Sequence, residues 1–251
     1  MKSIAFWNRK GGSTKTTTTV NLAHALTLLG KSVLIFDMDS QSNTSYCFGV
    51  RGGKTISDLI FKREKLKDVM IEVRPELYLV QGDLNEEYED VSDIKSLCED
   101  LFIDLLSKAS FFDYVFFDCP PSYTDMHYCI LKAIDEIAIP ISLDWLPLVG
   151  AMQVKRRLAR LKKQGIDVHI GMVIPTMHDA RVNKTIFVID GIKESFGQVI
   201  TRPVKICAKV AEAPFHRMTI YDYDPKCSAA NDYLEIAKEM INNGERKRGK
   251  C

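Results

Sequence analysis

Three short stretches carry residues able to do chemistry together. In "NRKGGSTKTTTT", spanning 8–19, Gly11 and Gly12 leave the backbone bare, and Lys15, Thr16 and Thr17 follow with a cation and two hydroxyls. Backbone amides converging beside a helix start, with an ammonium nearby, are what a phosphate group needs. In "VLIFDMDSQSNTS", Asp37 and Asp39 lie two apart, so both point to one side of an extended chain. In "FFDYVFFDCPPSY", an apolar run ends in Asp118, and a carboxylate ending a buried strand is costly unless a cation partners it. Glycine amides, ammonium, hydroxyls and carboxylates form the set that holds phosphate oxygens and a divalent cation.

Against the phosphate-loop pattern G-x-x-x-x-G-K-[ST], the first stretch is irregular. With Lys15-Thr16 as the final pair, the glycines belong at positions 9 and 14, which hold Arg9 and Thr14. Taken alone, the stretch also reads as a Gly-Gly turn with a chance Lys-Thr. Likewise, Asp37 and Asp39 alone read equally well as two solvated turn residues.

The elements that must position these groups are legible as alternation. "SIAFWN", "SVLIFDMD", "ELYLVQGD", "DYVFFDCP", "EIAIPISL", "VHIGMVIP" and "QVITRPVKI" read as strands, several apolar almost throughout, as in a sheet covered on both faces. Val20, Ala23, Leu26 and Leu29 follow helical spacing and stop at Gly30; Val154, Leu158 and Leu161 do the same within "VKRRLARLKK". This predicts an α/β fold with a doubly wound, mostly parallel sheet in a single domain over 1–243, followed by a polar, flexible tail over 244–251. In such a sheet ligands collect at the carboxyl ends of strands, where all three stretches fall.

Bulk properties narrow the class. The 251 residues contain 34 Lys plus Arg against 33 Asp plus Glu, so overall charge points to no polyanionic partner. Seven cysteines are scattered without a C-x-x-C pair, which argues against a zinc site or disulfide framework and for a reducing, cytoplasmic setting. No apolar run approaches the roughly 20 residues of a membrane span, and the N-terminus has no signal-peptide pattern.

The first stretch resembles the deviant Walker A loop of the ParA/MinD family of ATPases, K-G-G-x-G-K-[ST]-[ST], with Lys10 as its signature lysine. Position 9 need not be glycine in that variant; Thr14 remains a departure from the family glycine. "DMDSQSN" is similar to the family's D-x-D-P-Q-G-N, and "DCPPS" to its D-x-P-P-S. "VIPTMHDARVNKT", "VITRPVKI" and "VAEAPFHRMTIYDYDPKCSAANDYLEIAKEM" resemble later segments, so the likeness runs over essentially the whole chain, closest to short partition ATPases.

The resemblance implies an enzyme hydrolysing ATP with Mg²⁺, slowly on its own. Gly11, Gly12, Ser13, Thr14, Lys15, Thr16 and Thr17 would cradle the phosphates, and Thr16, Asp37 and Asp118 would hold the metal, the aspartates through water. Asp39 would position the attacking water. Lys10 would reach the nucleotide of a second copy in a sandwich homodimer, while Met177, Arg202 and Pro203 would frame the adenine. Nonspecific DNA would be met by Lys193, Lys205, Lys209, Arg217 and Lys226, with a ParB-like partner and a nucleoid-associated location. Positioning of a protein cargo, a MinD-like spatial regulator, a nitrogenase-reductase-like electron carrier and a nucleotide-binding structural protein are the alternatives. The MinD-like case calls for a terminal amphipathic helix, and "NNGERKRGKC" has no apolar face.

Overall fold

The computed structural model describes residues 1–82 and 100–248. Seven strands form one sheet in the order β3-β4-β2-β5-β1-β6-β7. They are β1 (Lys2–Phe6), β2 (Val33–Asp37), β3 (Ile71–Arg74), β4 (Leu77–Val80), β5 (Tyr114–Asp118), β6 (Glu136–Ser142) and β7 (His169–Thr176). Every pairing is parallel except β3 with β4, which is antiparallel. The expected doubly wound, mostly parallel α/β fold is present.

Burial on both faces explains the apolar strands. Along β1, Ile4 and Phe6 enter one core cluster while Ala5 and Trp7 enter the other. The first face is covered by α1 (Lys15–Leu28) and the last helix, α11 (Ser228–Arg248), through Val20, Leu22, Leu26, Tyr233 and Ile236. The second is covered by α5 (Leu101–Lys108), α6 (Asp125–Ala133), α7 (Trp145–Lys162) and α8 (Asn183–Phe196). Among the described residues between α1 and α5 lie three short helices: α2 (Asn43–Phe48), α3 (Ile56–Ile60) and α4 (Leu66–Val69). Two more, α9 (Ala208–Glu212) and α10 (Ile220–Tyr223), precede α11.

Two strand expectations need correction. Residues 198–206 form no strand; only isolated bridges, Val173 to Ile200 and His178 to Lys205, join this segment to β7 and its extension. Its apolar alternation is real, but Gly197–Val199 is a 3-10 turn and Pro203 lacks the N–H a ladder needs. Conversely, the sequence reading did not include β3, whose half-exposed edge position leaves it little apolar signal. The final helix also runs through Arg248, into the segment expected as a tail; residues 249–251 lie outside the described chain.

Candidate functional site

β1 lies inside the sheet between β5, its central strand, and β6, where successive connections leave in opposite directions. A crevice opens there at the carboxyl ends of the strands. Register sets Phe6 and Asp37 level with Asp118 on either side of β5. The loop after β1, the loop after β2 and the loop after β5 therefore meet. Gly11–Thr17, Asp39, Ser40, Gln41, Asn43 and Pro120–Ser122 line the resulting cleft.

The glycine loop is held from below. Asn8 is fully buried; its Nδ2 donates to Pro140 O (2.8 Å) and Pro147 O (3.2 Å), and its Oδ1 accepts from Lys10 N (3.1 Å). Ser142 Oγ donates to Gly12 O at 3.3 Å. Gly12 takes φ +70°, the left-handed backbone glycine adopts without strain. Thr14 precedes α1 and makes no side-chain cap to it. The helix's first bond runs from Thr18 N to Thr14 O (2.9 Å), so the amides of Lys15–Thr17 have no acceptor within the helix. Helix dipole and bare amides together favour an anion at this point.

The polar side chains converge on Asp118. Thr16 Oγ1 and Thr44 Oγ1 each donate to its Oδ2 at 2.7 Å, and Thr19 Oγ1, which lies 3.0 Å from Lys15 O, stands 3.4 Å from Oδ1. Burial raises the Asp118 carboxyl above the usual range, against the pull of these hydroxyls and of Lys15. Lys15 is only 8% exposed, and its Nζ lies 3.4 Å from Lys10 O. Burial lowers its ammonium below the ordinary lysine value, although Asp118 and Asp39 pull the other way. A buried ammonium with so little compensation beside free amides fits a phosphate group. Hydroxyl and carboxylate oxygens, Thr16 with Asp118, are the hard ligands Mg²⁺ takes.

Asp37 and Asp39 separate despite their spacing. Asp39 stands half-buried at the cleft, its Oδ1 accepting from Gln41 N at 3.0 Å. Asp37 is fully buried, and its Oδ2 accepts from both Ser45 N (3.0 Å) and Ser45 Oγ (2.8 Å). Burial, then Asp118 beside it, push its carboxyl up to about 7. Asp37 thus ties α2 to the sheet and is absent from the cleft lining. The geometry gives it an anchoring place beside Asp118 rather than a share of the cleft.

Lys10 is exposed and borders a second hollow with Gly12, Leu146, Pro147, Met177 and Ile206. Of Met177, Arg202 and Pro203, only Met177 lines this hollow. Arg202 turns to Glu235 of α11, 3.5 Å away, and Pro203 lies in the segment beside β7. Most of the residues expected at DNA have partners within the chain. Lys193 pairs with Asp190 on α8, Lys205 with Asp232, and Lys209 with Asp224, whose Oδ1 also accepts from Lys226 N. Arg217 packs its side chain against Gly49. Asn8, Thr44, Ser45, Ser142 and Gly150 were not among the sequence candidates. Only Asn8, adjoining the loop, offered a local signal.

An AAA-domain family profile matches residues 1–171. The sporulation initiation inhibitor protein Soj of Bacillus subtilis is 30% identical over 97% of this chain and 99% of its own length. The chromosome-partitioning ATPase Soj of Treponema pallidum is 28% identical, covering 98% and 99%. The chain belongs to the ParA/MinD/Soj family of deviant Walker A P-loop ATPases. Solved structures agree on the fold. Apo McdA of Cyanothece superposes with a TM-score of 0.83 at 20% identity, covering 96% of this chain and 99% of that one. The Mg-ADP complex of the septum site-determining protein MinD of Pyrococcus horikoshii gives 0.80 at 22%, covering 95% of each. No helix among the described residues is long and apolar enough to cross a membrane.

Proposed function

We propose that this ATPase is a spatial regulator that binds Mg-ATP, pairs with a second copy, and uses hydrolysis to end the pairing and so position a cargo. One observation carries the reading. A buried, under-compensated Lys15, the free amides opening α1, and Asp118 gripped by Thr16 and Thr44 meet at a single crevice. The names of relatives support the spatial role, since they include chromosome partitioning and septum-site determination.

Phosphoryl transfer to water needs mainly position and charge neutralisation. Lys15 and the loop amides hold the phosphates, and Thr16 with Asp118 holds Mg²⁺, which when bound neutralises phosphate charge. Asp39, at the cleft, orients the attacking water. Asp37 fixes the Asp39 loop through Ser45. Lys10 points out of the fold, available to a nucleotide held by a second copy; Met177 gives the base side a wall. Hydrolysis then removes contacts across the pair, the logic of a two-state switch.

DNA partition, with nonspecific DNA and a ParB-like activator, is the narrower form of the same reading. It draws on Lys193, Lys205 and Lys209, whose ammonium groups pair with Asp190, Asp232 and Asp224. Cargo positioning draws on none of these pairs and is preferred. The test is sedimentation of the purified chain with ATP and Mg²⁺, plus turnover with and without duplex DNA at low and physiological salt. An ATP-dependent dimer that Lys15→Ala and metal chelation abolish is expected. Absence of nucleotide binding in the wild type refutes the reading. DNA affinity that falls steeply with salt supports the narrower form, and a flat salt response refutes it.

A further inference from the structure

Position 14 is glycine in the family's loop pattern, and the backbone here shows why. Thr14 has φ 67° and ψ 22°, the left-handed region. A β-branched residue is strained there. Yet its side chain is well placed. Thr14 Oγ1 donates its only proton to Ser13 O at 2.6 Å. Both contacts are satisfied when the proton in the 2.7 Å contact between Thr14 Oγ1 and Thr176 Oγ1 comes from Thr176. A chain of donors runs from Thr176 through Thr14 to the loop carbonyl of Ser13.

Thr176 is a firm anchor. It ends β7, is 2% exposed, pairs in register with Ser142, and its carbonyl accepts from Leu143 N at 2.9 Å. Ser142 donates to Gly12 O, so hydroxyls from two neighbouring strand ends grip the loop on both sides of Ser13. The next residue, Met177, is itself left-handed (φ 57°) and heads the base-side wall.

We infer that Thr14 and Thr176 form a hydroxyl clasp that sets the phosphate loop for nucleotide and ties it to the base-side wall, both acting as positioning residues. The inference rests on the ATP reading above. The clasp replaces the freedom of a glycine with a fixed loop shape, holding the left-handed turn against its strain.

Calorimetric ATP titrations of the full chain with Mg²⁺ test it, alongside thermal unfolding without nucleotide. Thr176→Val should raise the Kd roughly five-fold, the loss of about one hydrogen bond, and Thr176→Ser should restore it to within about two-fold. Thr14→Ala, which keeps the strained Cβ but removes the hydroxyl, should weaken binding about as much as Thr176→Val. In a Thr14→Gly background, Thr176→Val should change the Kd less than about two-fold, because no partner remains. Equal factors in both backgrounds overturn the clasp. Coupling seen in unfolding temperature but not in Kd overturns its positioning role. A wild type that binds no ATP overturns the proposed function, and the positioning role with it. A wild type that binds ATP while the variants act additively overturns only the clasp.

Discussion

Gly150→Ala tests whether α7 and Asn8 together hold the signature-lysine loop. A Cβ at Gly150 would stand 2.4 Å from Asn8 Oδ1 and 3.2 Å from both Lys10 N and Lys10 Cβ. The first contact is impossible, and the other two leave the loop backbone no room to drift toward the helix. Asn8 must leave its place or α7 must move away. If Asn8 leaves, its bonds to Pro140 O, Pro147 O and Lys10 N are lost in a site without solvent. At about 1 kcal/mol each, the change destabilises by about 3 kcal/mol. For a chain of this size that lowers the unfolding temperature by roughly 6–12 °C. ATP-dependent dimerisation should weaken as well, since Lys10 loses its fixed amide. Thermal unfolding without nucleotide gives the first number, and sedimentation with ATP the second. Asn8→Ala removes the same bonds without the clash, so adding Gly150→Ala to it should lower stability little further. Strict additivity of the two changes, or an unfolding temperature for Gly150→Ala within about 1 °C of wild type, would refute the reasoning.

Two other perturbations probe the site and the core behind it. Asp39→Ala should keep ATP affinity and accumulate the ATP-bound dimer, because Asp39 stands at the cleft while Lys15, Thr16 and Asp118 stay intact; turnover at the wild-type rate in a single-cycle assay sinks its role. His127 is buried against Trp7 and Tyr123, and burial lowers its pKa to about 4. The folded state therefore keeps it neutral while the unfolded chain binds a proton near pH 6.5, so its share of stability is full above that pH and drains away toward pH 4. Relative to His127→Phe, wild type should lose on the order of 3 kcal/mol across that window. Comparing the two proteins cancels Asp37, whose raised pKa acts with the opposite sign, its protonation favouring the fold as pH falls. Parallel stability curves from pH 7 to 4.5 would refute the assignment.

Much of this protein was legible without coordinates. Lys10, Lys15 and Thr16 after a short, largely apolar strand, and Asp118 ending a buried one, are local patterns, and local patterns follow from backbone periodicity and the needs of phosphate. The wound sheet followed from the same alternation. Asp37 and Asp39 looked equivalent because a spacing of two puts both on one side of a strand. Only the fold brought Ser45 onto Asp37 and left Asp39 at the cleft, since the chain turns just after β2. The strand expected over 198–206 failed because a ladder depends on what runs alongside, and apolar alternation does not report its neighbours. Thr14 shows the division most sharply. Sequence marked it as a departure from glycine but could not say whether its side chain would find a partner. That partner, Thr176, lies 162 residues away at the end of β7. Which strand ends lie together is settled by sheet order, and sheet order by packing across the whole core rather than by any short stretch of chain.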